Sequence, residues 1–209
     1  MLQISLLKRL LKPFKANTVL CVVDNKTNQT TNSTSKTFEL KSTVIVKLEL
    51  VGAGGCDGGT YSGGWWYGSG GGGAAIVAEV ALPQGVYRLT SGGCGAGGNL
   101  ESSPASDGQP SKLELRLPDG NWEELAVANG GKGVPWTKGD AGEGGTYSIS
   151  LPIRKSILVS NGKKGSKGGY NAMRVNAAPA IYEGYGKGYD TGGYQYHDGT
   201  GGLARVTAI

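Results

Sequence analysis

Histidine is almost missing from this chain: His197 is the only one in 209 residues. A Ser/His/Asp relay would have to be built on it. The acidic residue beside it, Asp198, is its immediate neighbour, a placement that rarely yields a base held by an orienting carboxylate. Cysteine is scarce and odd in number. Cys21, Cys56 and Cys94 show no CxxC spacing, so neither a disulfide framework nor a zinc site is indicated. Cys56 and Cys94 both stand in glycine-rich turns, and sequence alone does not say whether they pair. No apolar run approaches the ~20 residues of a membrane-spanning helix. No D-x-D-x-D-G calcium loop occurs, and GYGKG at 184–188 lacks the strand–helix context of a phosphate-binding loop. These absences point to a protein without catalytic residues, metal or cofactor.

What is abundant is glycine, at 39 residues, against a hydrophobic content of 38%. Glycine loses more freedom on folding than any other residue, so glycine-rich segments stay disordered unless close packing offsets the cost. The length suits one sizeable domain with an appendage. Net charge is +5, but Lys and Arg are dispersed, which reads as a solvated surface. Aromatic and basic residues do not interleave as nucleic-acid modules require, and no nucleic acid is expected as a partner.

The first residues, MLQISLLKRLLKPFK, place Leu6, Leu7, Leu10 and Leu11 at helical spacing before Pro13. The spacing predicts a short amphipathic helix within residues 1–16, marginal alone in water, which would dock on the protein body, another subunit or a larger assembly. Its charges interrupt the apolar run, unlike a signal peptide. Residues 17–35 then read as a strand and polar linker, in which the sequons at Asn25, Asn28 and Asn32 are taken as a polar loop. Residues 36–209 read as the main domain.

From residue 18 the apolar period is two. TVLCVVDN (18–25) reads as a strand, and alternation runs over 36–52, with Val44, Val46, Leu48 and Leu50 on one side and Lys47 and Glu49 on the other. Further strands are expected at 74–82, 86–92, 111–118, 123–129, 146–152, 156–161 and 203–209, with PDGN (118–121) as a hairpin turn. Many short strands separated by glycine and proline give an all-β class, a β-sandwich of jelly-roll type.

Glycine segments lie between the strands, at 52–73, 92–98, 130–145, 162–169 and 184–202. Within them glycines step by three: Gly52, Gly55 and Gly58; Gly92, Gly95 and Gly98; Gly130 and Gly133, then Gly139, Gly142 and Gly145; Gly162, Gly165 and Gly168. An extended left-handed helix has three residues per turn and no internal hydrogen bonds. Glycine at every third place leaves it a bare edge, on which neighbouring segments can lie and exchange hydrogen bonds. The spacing predicts polyglycine-II-like connections packed side by side.

Most of the large aromatic residues sit in or beside these segments: Tyr61, Trp65, Trp66, Tyr67, Trp136, Tyr185, Tyr189, Tyr194 and Tyr196. Aromatic rings on loops supply contact area at low rotamer entropy and carry a polar tip, as binding surfaces require. The same rings would also serve to cover bare glycine backbone.

LELVGAGG (48–55), GGGGAAIVAEVALPQGVYRLTSGGCGAGG (70–98) and DGTGGLARVTAI (198–209) appear in that order. The arrangement resembles the glycine-rich domains of bacteriophage tail fibres and adhesins over about residues 36–209. There a V-V-G-A/G-G-G-G strand end, a glycine run, an apolar strand with L-x-x-G-x-Y-x-L-x-x-G-x-G-G and a closing apolar strand follow one another. The resemblance implies a non-enzymatic virion protein, attached through its N-terminus, that presents its loops to a host-surface glycan or outer-membrane protein and works as a homo-oligomer. Two alternatives stand beside it. One is a structural assembly protein whose loops pack on neighbouring subunits. The other is a carbohydrate-active enzyme using loop carboxylates among Asp57, Asp107, Asp140, Glu143, Asp190 and Asp198.

Overall fold

The computed structural model describes residues 15–25, 32–56, 58–61, 65–95, 105–134, 141–165 and 199–209. The strands are β1 (Val19–Asp24), β2 (Thr34–Leu40), β3 (Val44–Val51), β4 (Gly58–Tyr61), β5 (Trp65–Gly68), β6 (Ala75–Leu82), β7 (Gly85–Ser91), β8 (Ser111–Arg116), β9 (Trp122–Ala128), β10 (Tyr147–Ile149), β11 (Ile153–Ser160) and β12 (Leu203–Ala208). No helix occurs among the described residues, and the segment expected to form the docking helix lies almost wholly outside them.

Ten strands make two antiparallel five-stranded sheets, in the orders β1-β12-β3-β6-β11 and β10-β9-β8-β7-β2. Alternation explains the contact between them. Val46, Leu48 and Leu50 of β3, with Ile76, Val80 and Leu82 of β6, face Tyr87 and Leu89 of β7 and Leu113 of β8 in one buried cluster. Each such side chain contributes about 1.5–3 kcal/mol by leaving water. The result is a sandwich-like pair of sheets. Tyr87 closes the core with its ring stacked on Phe38, centroids 5.3 Å apart, and its hydroxyl donating to Pro83 O at 2.7 Å.

The alternation over 36–52 is broken in two. Lys41–Thr43 turn the chain, so that β2 pairs with β7 in one sheet while β3 pairs with β6 and β12 in the other. The alternation is continuous in sequence because both strands face the same core. PDGN forms the expected hairpin: Gly120 has φ +88°, Gly120 N–H donates to Leu117 O and Leu117 N–H to Asn121 O. The Asp119 carboxylate accepts from the Asn121 backbone N–H and side-chain amide at 2.9 Å each, and these bonds hold its carboxyl below the ordinary value.

The outward faces are polar where they are wet. On the second sheet Arg88 makes a two-point bridge to the nearly buried Glu114, at 2.6 and 2.7 Å, and lies 4.5 Å above the Trp122 ring. On the first sheet Glu49 is buried between Lys47 at 3.0 Å and Arg205 at 3.7 Å.

Candidate functional site: the glycine bundle and its tips

Four times a strand of the sandwich runs out into glycine-rich backbone and a second tract brings the chain back to the next strand. The outgoing and returning tracts are 52–56 and 69–74, 92–95 and 105–110, 129–134 and 141–146, and 161–165 and 199–202. None of them belongs to a sheet. Their amides bond from tract to tract instead.

Residues 52–56 show the rule. Gly52 and Gly55 donate to Ala74 O and Gly71 O, both at 2.9 Å; Ala53 and Cys56 donate to Gln109 O and Ser106 O; Gly54 donates to Thr200 O. Three successive N–H groups therefore point at three different neighbours, and the fourth returns to the first. This is the period of a three-residue-per-turn extended helix. The other tracts repeat it. Asn129 and Lys132 donate to Thr146 and Glu143, Gly131 and Val134 to Ala53 and Cys56, Gly142 and Gly145 to Ser69 and Gly72, Gly162 and Gly165 to Gly145 and Gly142, and Gly199 and Gly202 to Gly95 and Gly92.

The glycine triplets lie where neighbouring backbones meet. A Cβ built on Gly52 would overlap the Asn129 carbonyl, and one on Gly55 the Lys132 carbonyl, three residues further along the same neighbour. Gly92 and Gly95 stand in the same way against Gln109 and Ser106, and Gly162 and Gly165 against Gly72 and Ser69. Among the described glycines only Gly120 has positive φ, so the requirement in the bundle is for space rather than for unusual dihedrals. Each exchanged bond contributes about 1 kcal/mol net, which together with close backbone packing offsets the entropy lost by the glycines.

Residues with side chains take the remaining directions. Ala53, Cys56, Ser69, Ala74, Cys94 and Val134 are buried. No disulfide links Cys21, Cys56 and Cys94, and burial pushes the Cys21 thiol up, with Lys36 pulling weakly the other way, as for an inert packing residue. Charged residues mark the flank. Asp107 accepts from Lys132 Nζ at 2.7 Å and from Gly133 N at 2.9 Å, and Glu143 pairs with Lys164. These two loop carboxylates thus brace adjoining tracts; Asp57, Asp140, Asp190 and Asp198 lie outside the described residues.

A buried polar junction joins bundle to sheets. Ser111 Oγ donates to Val51 O at 2.7 Å and accepts from Gly92 N at 3.0 Å. Asn25 Nδ2 donates to Ser91 O at 2.9 Å, and Asn25 N to Gly202 O. Asn25 is 1% exposed, so the first sequon is part of the fold and closed to glycosylation. Sequence reading missed this role, since one Asn and one Ser in polar surroundings carry no periodic signal.

At the far end, hydrogen bonds tie the tract ends together: Cys56 N to Ser106 O, Val134 N to Cys56 O, Gly142 N to Ser69 O, Gly165 N to Gly142 O and Gly199 N to Gly95 O. All four connections leave the bundle from this layer. Tyr61, Trp65, Trp66 and Tyr67 belong to the first of them, which also contains the unpredicted hairpin β4–β5. Trp136 belongs to the third connection and Tyr185, Tyr189, Tyr194 and Tyr196 to the fourth; these five lie outside the described residues, as do Leu6, Leu7, Leu10 and Leu11.

Two sheets continued by a bundle of hydrogen-bonded glycine tracts define an all-β glycine-rich module. The chain belongs to the glycine-rich domain family, whose model matches residues 30–207. No curated protein matches it.

Proposed function

We propose that this protein is a non-enzymatic virion component, tail-fibre or adhesin-like, that attaches through its N-terminal segment and presents the connections at the far end of its glycine bundle to a host surface. The observation that carries this reading is the common exit layer. Every aromatic loop residue singled out in the sequence belongs to a connection that starts and ends there. The hydrogen-bonded bundle sets the points from which these connections leave it at the end remote from the sheets, as a presenting device requires. The partner is a surface glycan or outer-membrane protein, and other virion proteins hold the N-terminal end.

Adsorption of the labelled protein to bacteria that the virion infects tests the reading. Replacing residues 59–67 by Asn-Gly is expected to reduce adsorption while leaving the thermal midpoint nearly unchanged. Deleting residues 1–16 is expected to remove attachment to virion proteins only. Equal adsorption with and without the tip would refute the reading.

A second reading, a subunit that packs against its own copies, is favoured by one observation. Tyr147 of β10 and Ile153 and Ile157 of β11, the edge strands of the two sheets, are 39–43% exposed. Exposed apolar residues on unpaired edges often mark contacts between chains. Sedimentation of the wild type and of Ile157→Lys would show an oligomer that falls to monomer.

A further inference from the structure

The first sheet carries an apolar patch on the face turned away from the core. Val46 of β3, Val206 of β12 and Val80 and Leu82 of β6 belong to the core. Successive residues of a strand alternate between faces, so Ile45, Thr207, Ile209 and Ala81 point outward. Val19 of β1 is paired with Thr207, Ala81 is paired with Ile45, and the Ile209 amide donates to Ile45 O at 3.2 Å. Val19 and Ile209 are 52% and 46% exposed. Among the described residues no element lies over this end of the sheet.

The chain enters the sheet at this same end, through a turn. Thr18 N–H donates to Lys15 O at 3.1 Å and Asn17 N–H to Ala208 O at 2.8 Å. Asn17 takes the left-handed φ of +64° that Asn accepts at the third place of such a turn. A four-residue turn reverses the chain, so the residues ahead of Lys15 arrive alongside the sheet. The inner side of β1 is closed, because Cys21 and Val23 lie in the core. The outer face is left. The four steps from Leu11 to Lys15 span at most about 14 Å. That reaches over β12 and β3, whereas β11 stands four strand spacings from β1, about 19 Å away. Leu6, Leu7, Leu10 and Leu11 recur at helical spacing, with Lys8, Arg9 and Lys12 on the opposite side of the period. We propose that the leucine-rich segment 2–11 is held by its own chain, packed on the patch of Val19, Ile45, Ala81 and Ile209 to which the turn returns it. A helix too short to be stable alone in water finds there the apolar contact it lacks. Lys8, Arg9 and Lys12 stay outward and open to a virion partner, so the proposal goes beyond the attachment reading without depending on it.

Amide exchange of the full-length protein tests it. Residues 2–11 are expected to exchange about tenfold or more slowly than an unstructured chain. The double variant Val19→Asp, Ile209→Asp is expected to remove that protection while the amides of Val46 and Leu48 keep theirs. Should this variant unfold, a photo-crosslinker in place of Leu10 decides the matter in the otherwise unaltered chain, with adducts expected on peptides of the same chain that carry Val19, Ile45 or Ile209. Exchange of residues 2–11 at the unstructured rate would overturn the proposal, as would protection that survives the double variant or adducts mapping elsewhere. Protection that vanishes on dilution, or adducts between chains, would overturn it too, because the segment would then lie on a second copy. Loss of attachment to virion proteins with this protection intact refutes the attachment reading alone.

Discussion

The hydroxyl of Ser111, the first residue of β8, donates to the carbonyl of Val51, the last residue of β3, at 2.7 Å. It bridges the two sheets at the point where both give way to glycine, and it also accepts the Gly92 amide. All three groups are buried, so each would be left without water if the bridge were removed.

Ser111→Ala is accordingly expected to cost about 2–3 kcal/mol, since it strands a buried carbonyl and a buried amide together. Urea unfolding measures it. A change below about 0.5 kcal/mol, the scale of an ordinary surface substitution, would mean that the junction does not hold the bundle to the sheets.

Gly71→Ala places a methyl group on the Glu143 carbonyl. No flexible side chain can give way there, so a loss above about 4 kcal/mol or failure to fold is expected. Gly120→Ala is the comparison. Nothing lies within 4 Å of its Cβ position, and only its φ of +88° opposes the change, for about 1 kcal/mol. Similar melting points for the two variants would contradict the close contact of tracts.

Native-state amide exchange reads the bundle directly. Gly52, Gly55, Gly71 and Gly131, which donate to neighbouring tracts at 2.9 Å, are expected to be protected to the level of β3 amides. Exchange at the rate of an unstructured chain would mean that no bundle exists.

Tyr87 gives a pH dependence. Burial pushes its phenol from 10.0 up to about 12, so the native state favours the protonated form. That stability is present in full below pH ~10, the unfolded value, and is lost as pH rises from there toward about 12, an effect on the order of 2 kcal/mol. Tyr87→Phe gives up the bond to Pro83 O, about 1 kcal/mol at neutral pH, and is expected to flatten the alkaline decline in urea midpoints. An unchanged slope would rule Tyr87 out as its source.

Much of this architecture was legible in the sequence, for a physical reason. Strands of period two and glycines of period three report two different backbone geometries. Both periods are regular because Val46, Leu48 and Leu50 meet one core, and Gly52 and Gly55 meet one neighbouring tract. The turn at Lys41–Thr43 was hidden because two consecutive strands facing the same core keep the alternation unbroken. The β4–β5 hairpin was hidden because residues 58–68, five of the eleven glycine, show no apolar alternation. Asn25 and Ser111 act through single hydrogen bonds at a junction formed only after folding. The aromatic loop residues were visible in the sequence as a composition.

In three of the four pairs the outgoing and returning tracts arrive hydrogen-bonded to each other, as Gly55 does to Gly71, Gln109 to Gly93 and Lys132 to Glu143, so these three connections begin and end at fixed neighbouring points. Lengthening such a closed segment costs only about 0.6 kcal/mol per doubling. The scaffold can thus accept segments of very different size and sequence between the same two anchors, and evolution can rewrite what the molecule touches without renegotiating how it folds.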